Sequence, residues 1–318
     1  MNSRQLHSIS LISFSLFLSV FVAAISTTHA APQSPQNHSL ISDLQSRAEQ
    51  GDADAQYRLA KTLLARNPSP QDDQSAIKWL RASVAQNNPN AAFLLGYLYE
   101  HGQGVPRDYA LAFQYYQASA QLHYPSAENN LASLYQHGQG VPKNLGKAFE
   151  WYLLAAQHGN PIGQANLATL YYLGSGAPRD YAQTVRWLRA SADSEFADAQ
   201  NSLAYFYFCG IAVQRDYTEA ARLVRLAAEK GLPSGETNLA YLYEQGKGVP
   251  LDYVAAYTWY SRAIAAGDKS GSDHRKQLAH IMTRRQLEQA SALLTAYSPS
   301  GSVPPSVPPS TAITLFRH

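Results

Sequence analysis

A repeat of 36 residues runs through most of this chain and constrains its fold more than any other feature. The segment HGQGVP occupies residues 101–106 and returns unchanged at 137–142. The six predicted units are 55–90, 91–126, 127–162, 163–198, 199–234 and 235–270. A period of this length indicates an array in which each small unit buries its apolar face against its neighbours.

Within a unit, the pattern predicts a helix, a glycine loop and a second helix. In the second unit, Ala91, Leu95, Leu98 and Tyr99 share one face of a helix with a 3.6-residue period. The loop glycine suits the left-handed residue that ends a helix, and the Asp or Asn six residues later suits the next N-cap. One slot of the second helix holds a large ring, which we expect to fill the core. Its aromatic members are Trp79, Tyr115, Trp151, Trp187 and Trp259.

The sequence therefore predicts an all-α solenoid of about fifteen helices, in which residues 52–270 form six repeats. Residues 39–51 align with a second helix only, and we interpret them as an N-terminal capping half-repeat. Residues 271–297 predict two C-terminal capping helices, the second of which begins with a Thr-x-x-Gln capping box at Thr283. The Pro/Ser-rich tail, 298–318, lacks the residues to pack a core and is predicted to be disordered.

The first 30 residues have the layout of a cleavable signal peptide. Arg4 lies in a polar start, residues 9–25 are apolar apart from serine, and Ala30 ends a small-x-small cleavage site. Residues 31–38 are then a linker. An uncleaved membrane anchor is the competing interpretation, but the apolar stretch is short for a span and holds four serines. No cysteine follows it for lipidation, so the expected location is periplasmic or secreted, without stable membrane insertion after cleavage.

The repeat pattern, A-x-x-x-L-[AG]-x-x-Y-x-x-G-x-G-V-P-x-D followed by Ala, Trp-Tyr, Ala-Ala and Gly, resembles the Sel-1-like repeat (SLR) family, a relative of the tetratricopeptide repeat (TPR). The resemblance covers residues 55–270. It implies a right-handed superhelix of antiparallel helix pairs that acts as an adaptor or scaffold. Exported bacterial members are associated with envelope assembly, cell-wall enzyme regulation or host contact. The chain departs from the pattern at Arg66 and Pro68 in the first loop and at Ala212 in the fifth.

The composition and the motifs favour a protein that catalyses no reaction. The 25 Lys+Arg against 23 Asp+Glu give no electrostatic footprint for nucleic acid. Cys209 is the only cysteine, which excludes an intrachain disulfide and a thiolate metal cluster. Ser75 and Lys78 form an S-x-x-K motif, but no K-T-G accompanies it. His101 and His137 share a slot without a third ligand, which favours polar helix ends. We predict no catalytic residue, no cofactor and no metal.

Binding is expected from side chains that remain once the core is assigned. Positions 2, 6 and 9 after the first core alanine of each unit point away from that core. Six aromatic residues lie there: Phe93, Tyr97, Tyr172, Tyr205, Phe208 and Tyr241. Aromatic side chains commonly anchor interfaces, and the family architecture implies that the first helices line the concave side. We therefore predict that this stripe binds a protein or peptide; packing between neighbouring repeats is the alternative.

Two other functions remain open at this point. A cell-wall enzyme acting on peptidoglycan or a β-lactam is suggested by the S-x-x-K motif together with the export signal. A glycan-binding module is suggested by the tyrosine and asparagine side chains of the stripe. The sequence favours the exported, non-enzymatic scaffold over both, and it indicates no particular oligomeric state.

Overall fold

The computed structural model of the protein describes residues 35–65 and 69–296, and all regular structure within those ranges is helical. The predicted signal peptide, the linker up to residue 34 and the predicted tail from 298 lie outside the described residues. The described part contains fifteen helices, which confirms the predicted class and number: α1 (Pro35–Glu49), α2 (Ala53–Ala65), α3 (Pro70–Val84), α4 (Pro89–His101), α5 (Tyr109–Gln121), α6 (Pro125–His137), α7 (Leu145–Gln157), α8 (Pro161–Leu173), α9 (Tyr181–Asp193), α10 (Ala197–Cys209), α11 (Tyr217–Glu229), α12 (Pro233–Gln245), α13 (Tyr253–Ala265), α14 (Ser272–Ile281) and α15 (Arg284–Ala296). None of these described helices combines the length and apolarity needed to cross a bilayer.

The described residues fall into two compact units, 35–194 and 195–296. In the first unit, each helix from α1 to α8 packs against the next helix along the chain. In the second unit, α10 to α13 pack in the same tandem order, and α14 and α15 both contact α13. From α4 to α13 every helix has 13 residues, and corresponding helices begin 36 residues apart. Helix pairs therefore follow one another at the period of the sequence.

The predicted caps are present at both sides of the glycine loop. The first helix ends at a left-handed glycine, with φ between 60° and 72°, at Gly102, Gly138, Gly174, Gly210 and Gly246. The second helix begins after a side chain that accepts a hydrogen bond from a backbone N–H of its first turn, at Asp108, Asn144, Asp180, Asp216 and Asp252. The capping box of α15 also forms, because Thr283 and Gln286 each accept from the backbone N–H of the other.

A second loop glycine lies close to the preceding repeat in the second, third, fourth and sixth repeats. Gly140 has φ +68°, and a β-carbon added to it would overlap the carbonyl oxygen of Tyr109 at the start of α5. For comparison, Gly159 follows the end of α7 and also has a positive φ, +80°, but a β-carbon added to it would contact no other atom. At Gly140, therefore, both the backbone conformation and the close contact require glycine. In the fifth repeat the corresponding residue is Ala212, which adopts φ +56° despite its β-carbon.

The core corrects one prediction about the large rings. The apolar face of α4 is buried as predicted, with Leu95 fully covered. On the second helices, however, Tyr115 and Trp151 are half-buried, whereas the following residues, Tyr116 and Tyr152, are at most 1% exposed. Consecutive helical residues point about 100° apart, so only one of two adjacent rings faces the first helix. Residues of the tryptophan slot therefore do not occupy the centre of these two repeats.

The central slot holds tyrosine in three repeats and leucine or valine in the other three, and the facing residue of the first helix differs accordingly. The tyrosine hydroxyls donate to a first-helix side chain 16 residues earlier: Tyr116 to Glu100 at 2.6 Å, Tyr152 to Gln136 at 2.9 Å and Tyr260 to Glu244 at 2.8 Å. Burial raises the pKa of all three tyrosines, so their hydroxyls stay protonated and keep donating. In the other three repeats the residues at these two positions are Leu80 with Leu64, Leu188 with Tyr172, and Val224 with Phe208.

Candidate functional site

The six aromatic residues of the predicted stripe are not openly exposed. Tyr97 is buried, and the other five are half-buried. The Phe93 ring packs against Tyr116 and Tyr124, with centroids 5.7 and 5.1 Å away. The Tyr97 ring lies 4.1 Å from that of His101. In the second repeat Tyr97 is therefore covered by packing, whereas binding by the half-buried Phe93 stays a prediction.

Stacking of successive repeats explains why the stripe is covered. In the first unit, the buried side-chain amide of Asn166 donates to Asn129 at 2.9 Å. In the second unit, Asn238 donates to Asn201 at 2.7 Å in the same way. Asn129 and Asn201 occupy position 2 of the stripe, so this position lies at the junction between one first helix and the next. A helical-wheel projection of one helix alone does not show the first helix of the next repeat, which contacts this position.

The Lys247 patch, which we define as Tyr205, Phe208, Tyr217, Tyr241 and Lys247, joins three residues of the stripe to two neighbours. Three of its rings, those of Phe208, Tyr217 and Tyr241, converge around the charge of Lys247. The Phe208 ring lies 5.2 Å from Tyr217 and 6.3 Å from Tyr241, both in edge-on arrangements. The Lys247 ammonium lies 4.9 Å from the Phe208 ring centre, 5.7 Å from Tyr217 and 5.8 Å from Tyr241. At these distances a cation is attracted to each ring face.

The local fold brings these residues together from three segments. Phe208 lies in the last turn of α10, and Tyr217 is the first residue of α11, so the short loop between the helices folds one ring over the other. Tyr241 lies on α12, which ends at the left-handed Gly246, and Lys247 follows directly. The N-cap of α11 thus positions Tyr217, and the C-cap of α12 positions Lys247.

Electrostatics keep the patch neutral apart from its lysine. Burial is the main cause that raises the pKa of Tyr241, and the nearby Glu244 carboxylate raises it further. The Tyr241 hydroxyl therefore does not ionise near neutral pH. Glu244 itself accepts hydrogen bonds from Tyr260 and from His274 Nδ1, the latter at 2.9 Å. The Tyr241 ring also packs edge-on against His274 at 5.9 Å. The patch therefore combines half-buried aromatic surface with one positive charge.

Tyr205 and Tyr172 have different relations to this patch. Tyr205 lies one turn before Phe208 on α10, and its ring packs edge-on to Phe206 at 5.7 Å. Tyr172 occupies the same repeat position as Phe208 and packs 5.7 Å from Tyr181, but it lies in the other unit. Cys209 ends α10, and burial raises the pKa of its thiol, which disfavours the reactive thiolate.

Sequence reasoning missed Tyr217 and Lys247. A signal for Tyr217 was present, because tyrosine recurs directly after the N-cap aspartate at Tyr109, Tyr181, Tyr217 and Tyr253. A residue at the start of a second helix lies next to the end of the first helix, where Phe208 stands. Lys247 has no such repeat, since its slot holds asparagine, glutamine, serine or isoleucine elsewhere.

The residues that the sequence offered as candidates for catalysis or metal binding form hydrogen bonds within their own helices. The Ser75 hydroxyl donates to the Gln71 carbonyl of its own helix at 2.8 Å. Lys78 lies beside the Trp79 ring and borders an open depression of 430 Å³. His101 Nδ1 lies 3.0 Å from the Tyr97 carbonyl oxygen, and His137 Nδ1 lies 2.8 Å from that of Ser133. Each histidine thus bonds to the last turn of its helix, as expected of a polar helix end.

Comparison with known proteins matches this architecture. The profile of the Sel1 repeat matches residues 53–88, 89–124, 125–160, 161–195, 197–232 and 233–268. A protective antigen of uropathogenic Escherichia coli strains, which displays an SLR fold, is 29% identical with a TM-score of 0.70; the match covers 80% of this chain and 56% of the antigen. A Sel1 repeat protein from Oxalobacter formigenes is 27% identical with a TM-score of 0.65, over 76% of this chain and 96% of its own. No curated protein sequence matches the chain. Sel1 repeat proteins generally act as scaffolds for protein–protein interaction.

Proposed function

The chain belongs to the Sel1 repeat family, and from that premise we propose that it is a non-enzymatic scaffold that binds a protein or peptide at the Lys247 patch. The observation that carries this proposal is the convergence of three aromatic rings on one ammonium group. Such a surface suits a partner that inserts an apolar side chain between the rings and places a carboxylate near Lys247. Half-buried rings also lose little side-chain entropy when a partner covers them.

The experiment begins with identification of the partner. A photo-cross-linking amino acid in place of Tyr205 would capture whatever covers the patch in the native host, and the same amino acid in place of the exposed Leu293 would report background. The captured partner is then purified and its affinity measured by calorimetry. We expect Tyr205→Ala combined with Tyr241→Ala to weaken binding at least about tenfold, because an interface anchor contributes upwards of about 2 kcal/mol.

Tyr172→Ala is the matched control for Phe208→Ala. Both residues occupy the same repeat position, both are half-buried, and both pack on the first tyrosine of the following helix. The sequence placed Tyr172 in the same binding stripe, but the Lys247 patch proposed here does not include it. We therefore expect Phe208→Ala to weaken binding and Tyr172→Ala to leave it unchanged, with circular dichroism confirming that both variants are helical. Unchanged binding by a folded Tyr205/Tyr241 double variant would exclude the patch and make the second helices or the tail the next candidates.

We further propose that the protein is exported into the bacterial envelope or beyond it. Support comes from the polar, apolar and small-residue segments of residues 1–30. Cell fractionation together with N-terminal sequencing tests this: the mature chain should begin at Ala31 and be absent from the cytoplasmic fraction. A full-length cytoplasmic protein would contradict export and leave the patch proposal intact.

The non-enzymatic part of the proposal has its own test. Ser75 donates to Gln71 within its helix, an arrangement that leaves the hydroxyl bonded to backbone. We therefore expect the purified protein neither to turn over a chromogenic β-lactam nor to digest peptidoglycan. Turnover that Ser75→Ala abolishes would establish the cell-wall enzyme instead, and retention on a glycan array but by no protein would favour a glycan-binding module.

A further inference from the structure

Two histidines and a glutamate from neighbouring repeats converge in the unit formed by residues 35–194. His123 lies between α5 and α6, Glu128 lies in the first turn of α6, and His158 is the C-cap of α7. Each offers a ligand atom within 4.8 Å of the other two. His158 Nδ1 is 2.9 Å from both carboxylate oxygens of Glu128, and the two imidazole rings lie 5.5 Å apart. The function proposed above uses none of these residues.

The Glu128 carboxylate needs a compensating positive charge. Its side chain is 0% exposed, and burial of an ionised carboxylate is costly unless a cation pairs with it. The corresponding residue of the sixth repeat, Glu236, is paired with Arg262 at 2.7 Å. In the third repeat the position of that arginine holds Leu154. His158, 2.9 Å away, can supply that charge only in its protonated form, whereas a metal ion bound by the carboxylate and the imidazoles supplies it without protonation of the ring.

The combination of these three residues is specific to this place in the repeat array. The corresponding triplets are Gly51–Gln56–Gln86, Asn87–Ala92–Leu122, Gly159–Gln164–Ser194, Glu195–Gln200–Lys230 and Gly231–Glu236–Ala266. None of them offers three metal ligands. His123 also adopts φ +57°, a conformation that glycine holds in four of the seven such positions. His123, like Asn87 and Glu195, therefore carries a side chain at a left-handed position, and in this repeat the side chain stands beside the buried carboxylate.

We propose that His123, Glu128 and His158 bind a divalent transition-metal ion, for which Zn²⁺ is the probe. Two imidazole nitrogens and a carboxylate oxygen form a donor set that zinc accepts, whereas Mg²⁺ and Ca²⁺ prefer oxygen alone. Three protein ligands leave one position of a tetrahedral ion open, and both histidines are exposed to solvent. The ion would join the loop before α6 to the end of α7 and so connect two successive repeats.

Calorimetric titration of the full chain with Zn²⁺, after chelator treatment and purification through a tag without histidine, tests the site. We expect one ion per chain, a rise in the thermal unfolding midpoint on binding, and no such response to Mg²⁺. His123→Gly should weaken Zn²⁺ binding at least about tenfold. Because glycine suits the left-handed backbone, this variant should unfold at the same or a higher temperature than the metal-free wild type.

Two further variants complete the test. His158→Gln with Glu128→Gln recreates the Gln86–Gln56 hydrogen bond of the first repeat, which joins the same positions at 2.9 Å, and should fold without binding Zn²⁺. His101→Ala removes a histidine outside the cluster and should bind as the wild type does. The proposal is overturned if the wild type binds no Zn²⁺, or if folded His123→Gly or the glutamine pair binds it as tightly as the wild type.

Discussion

Removal of the Tyr152 side chain tests how each repeat is held together. The ring is 1% exposed, and its hydroxyl donates to Gln136 Oε1 at 2.9 Å. Truncation of a buried core aromatic costs about 3–5 kcal/mol of unfolding free energy, and a lost hydrogen bond costs about 1 kcal/mol. We therefore expect about 1 kcal/mol from Tyr152→Phe and about 3–5 kcal/mol from Tyr152→Ala, measured by urea unfolding with far-ultraviolet circular dichroism.

Trp151→Ala is the internal control for this experiment. Trp151 is the larger ring and the adjacent residue, but it is only half-buried, so its removal uncovers less of the core. We expect it to destabilise the protein by at least about 1 kcal/mol less than Tyr152→Ala does, in proportion to the smaller area uncovered. A loss from Trp151→Ala equal to or above that from Tyr152→Ala would refute the assignment of Tyr152 as the central residue of the repeat.

Three other predictions follow from the packing. Gly140→Ala should lower the unfolding free energy by more than about 1 kcal/mol, and Gly159→Ala, which meets open space, should cost less; equal losses in urea unfolding would contradict the close contact at Gly140. Arg262→Ala should cost about 3–5 kcal/mol, because it leaves the buried Glu236 carboxylate, whose pKa burial already raises, without its guanidinium. Adding Glu236→Gln should restore most of that stability. A double variant as unstable as Arg262→Ala alone would contradict the ion pair between Glu236 and Arg262. Burial raises the pKa of Tyr260, so the folded state holds that proton more tightly than the unfolded state; stability is complete below the ordinary tyrosine pKa of about 10 and declines as the pH rises above it. Tyr260→Phe should flatten this decline in urea midpoints measured on the alkaline side, and an unchanged slope would exclude Tyr260 as a contributor.

The period of the sequence was sufficient for the fold. Helix ends depend on residues close in sequence, so Gly102 and Asp108 can be assigned as caps from the amino-acid pattern alone. The depth of burial of Trp151 and Tyr152 was not predictable in the same way. Both are large and adjacent, and only the crossing of the two helices decides which of them faces inward.

The candidate sites were only partly predictable, because stacking of repeats builds them. Phe208 and Tyr241 were identified from helical periodicity, and the structure brings their rings to 6.3 Å. Tyr97 was identified by the same rule but is buried, since a wheel drawn for one helix omits the neighbouring helices. His123 and His158 were missed because 35 residues separate them and only the packing of consecutive repeats brings them together.

The matching of the buried tyrosines to their acceptors limits how this array can evolve by recombination. If α8 replaced α4, Tyr116 would lose the Glu100 acceptor and meet the Tyr172 ring instead. The reciprocal exchange would place a carboxylate against Leu188, where no hydroxyl exists to donate to it. A crossover within a repeat therefore creates a mismatched interior, whereas one in the short connection between repeats transfers both partners together. The heritable module of this protein is the intact helix pair, and we expect gains and losses of repeats among its relatives to occur in whole steps of 36 residues.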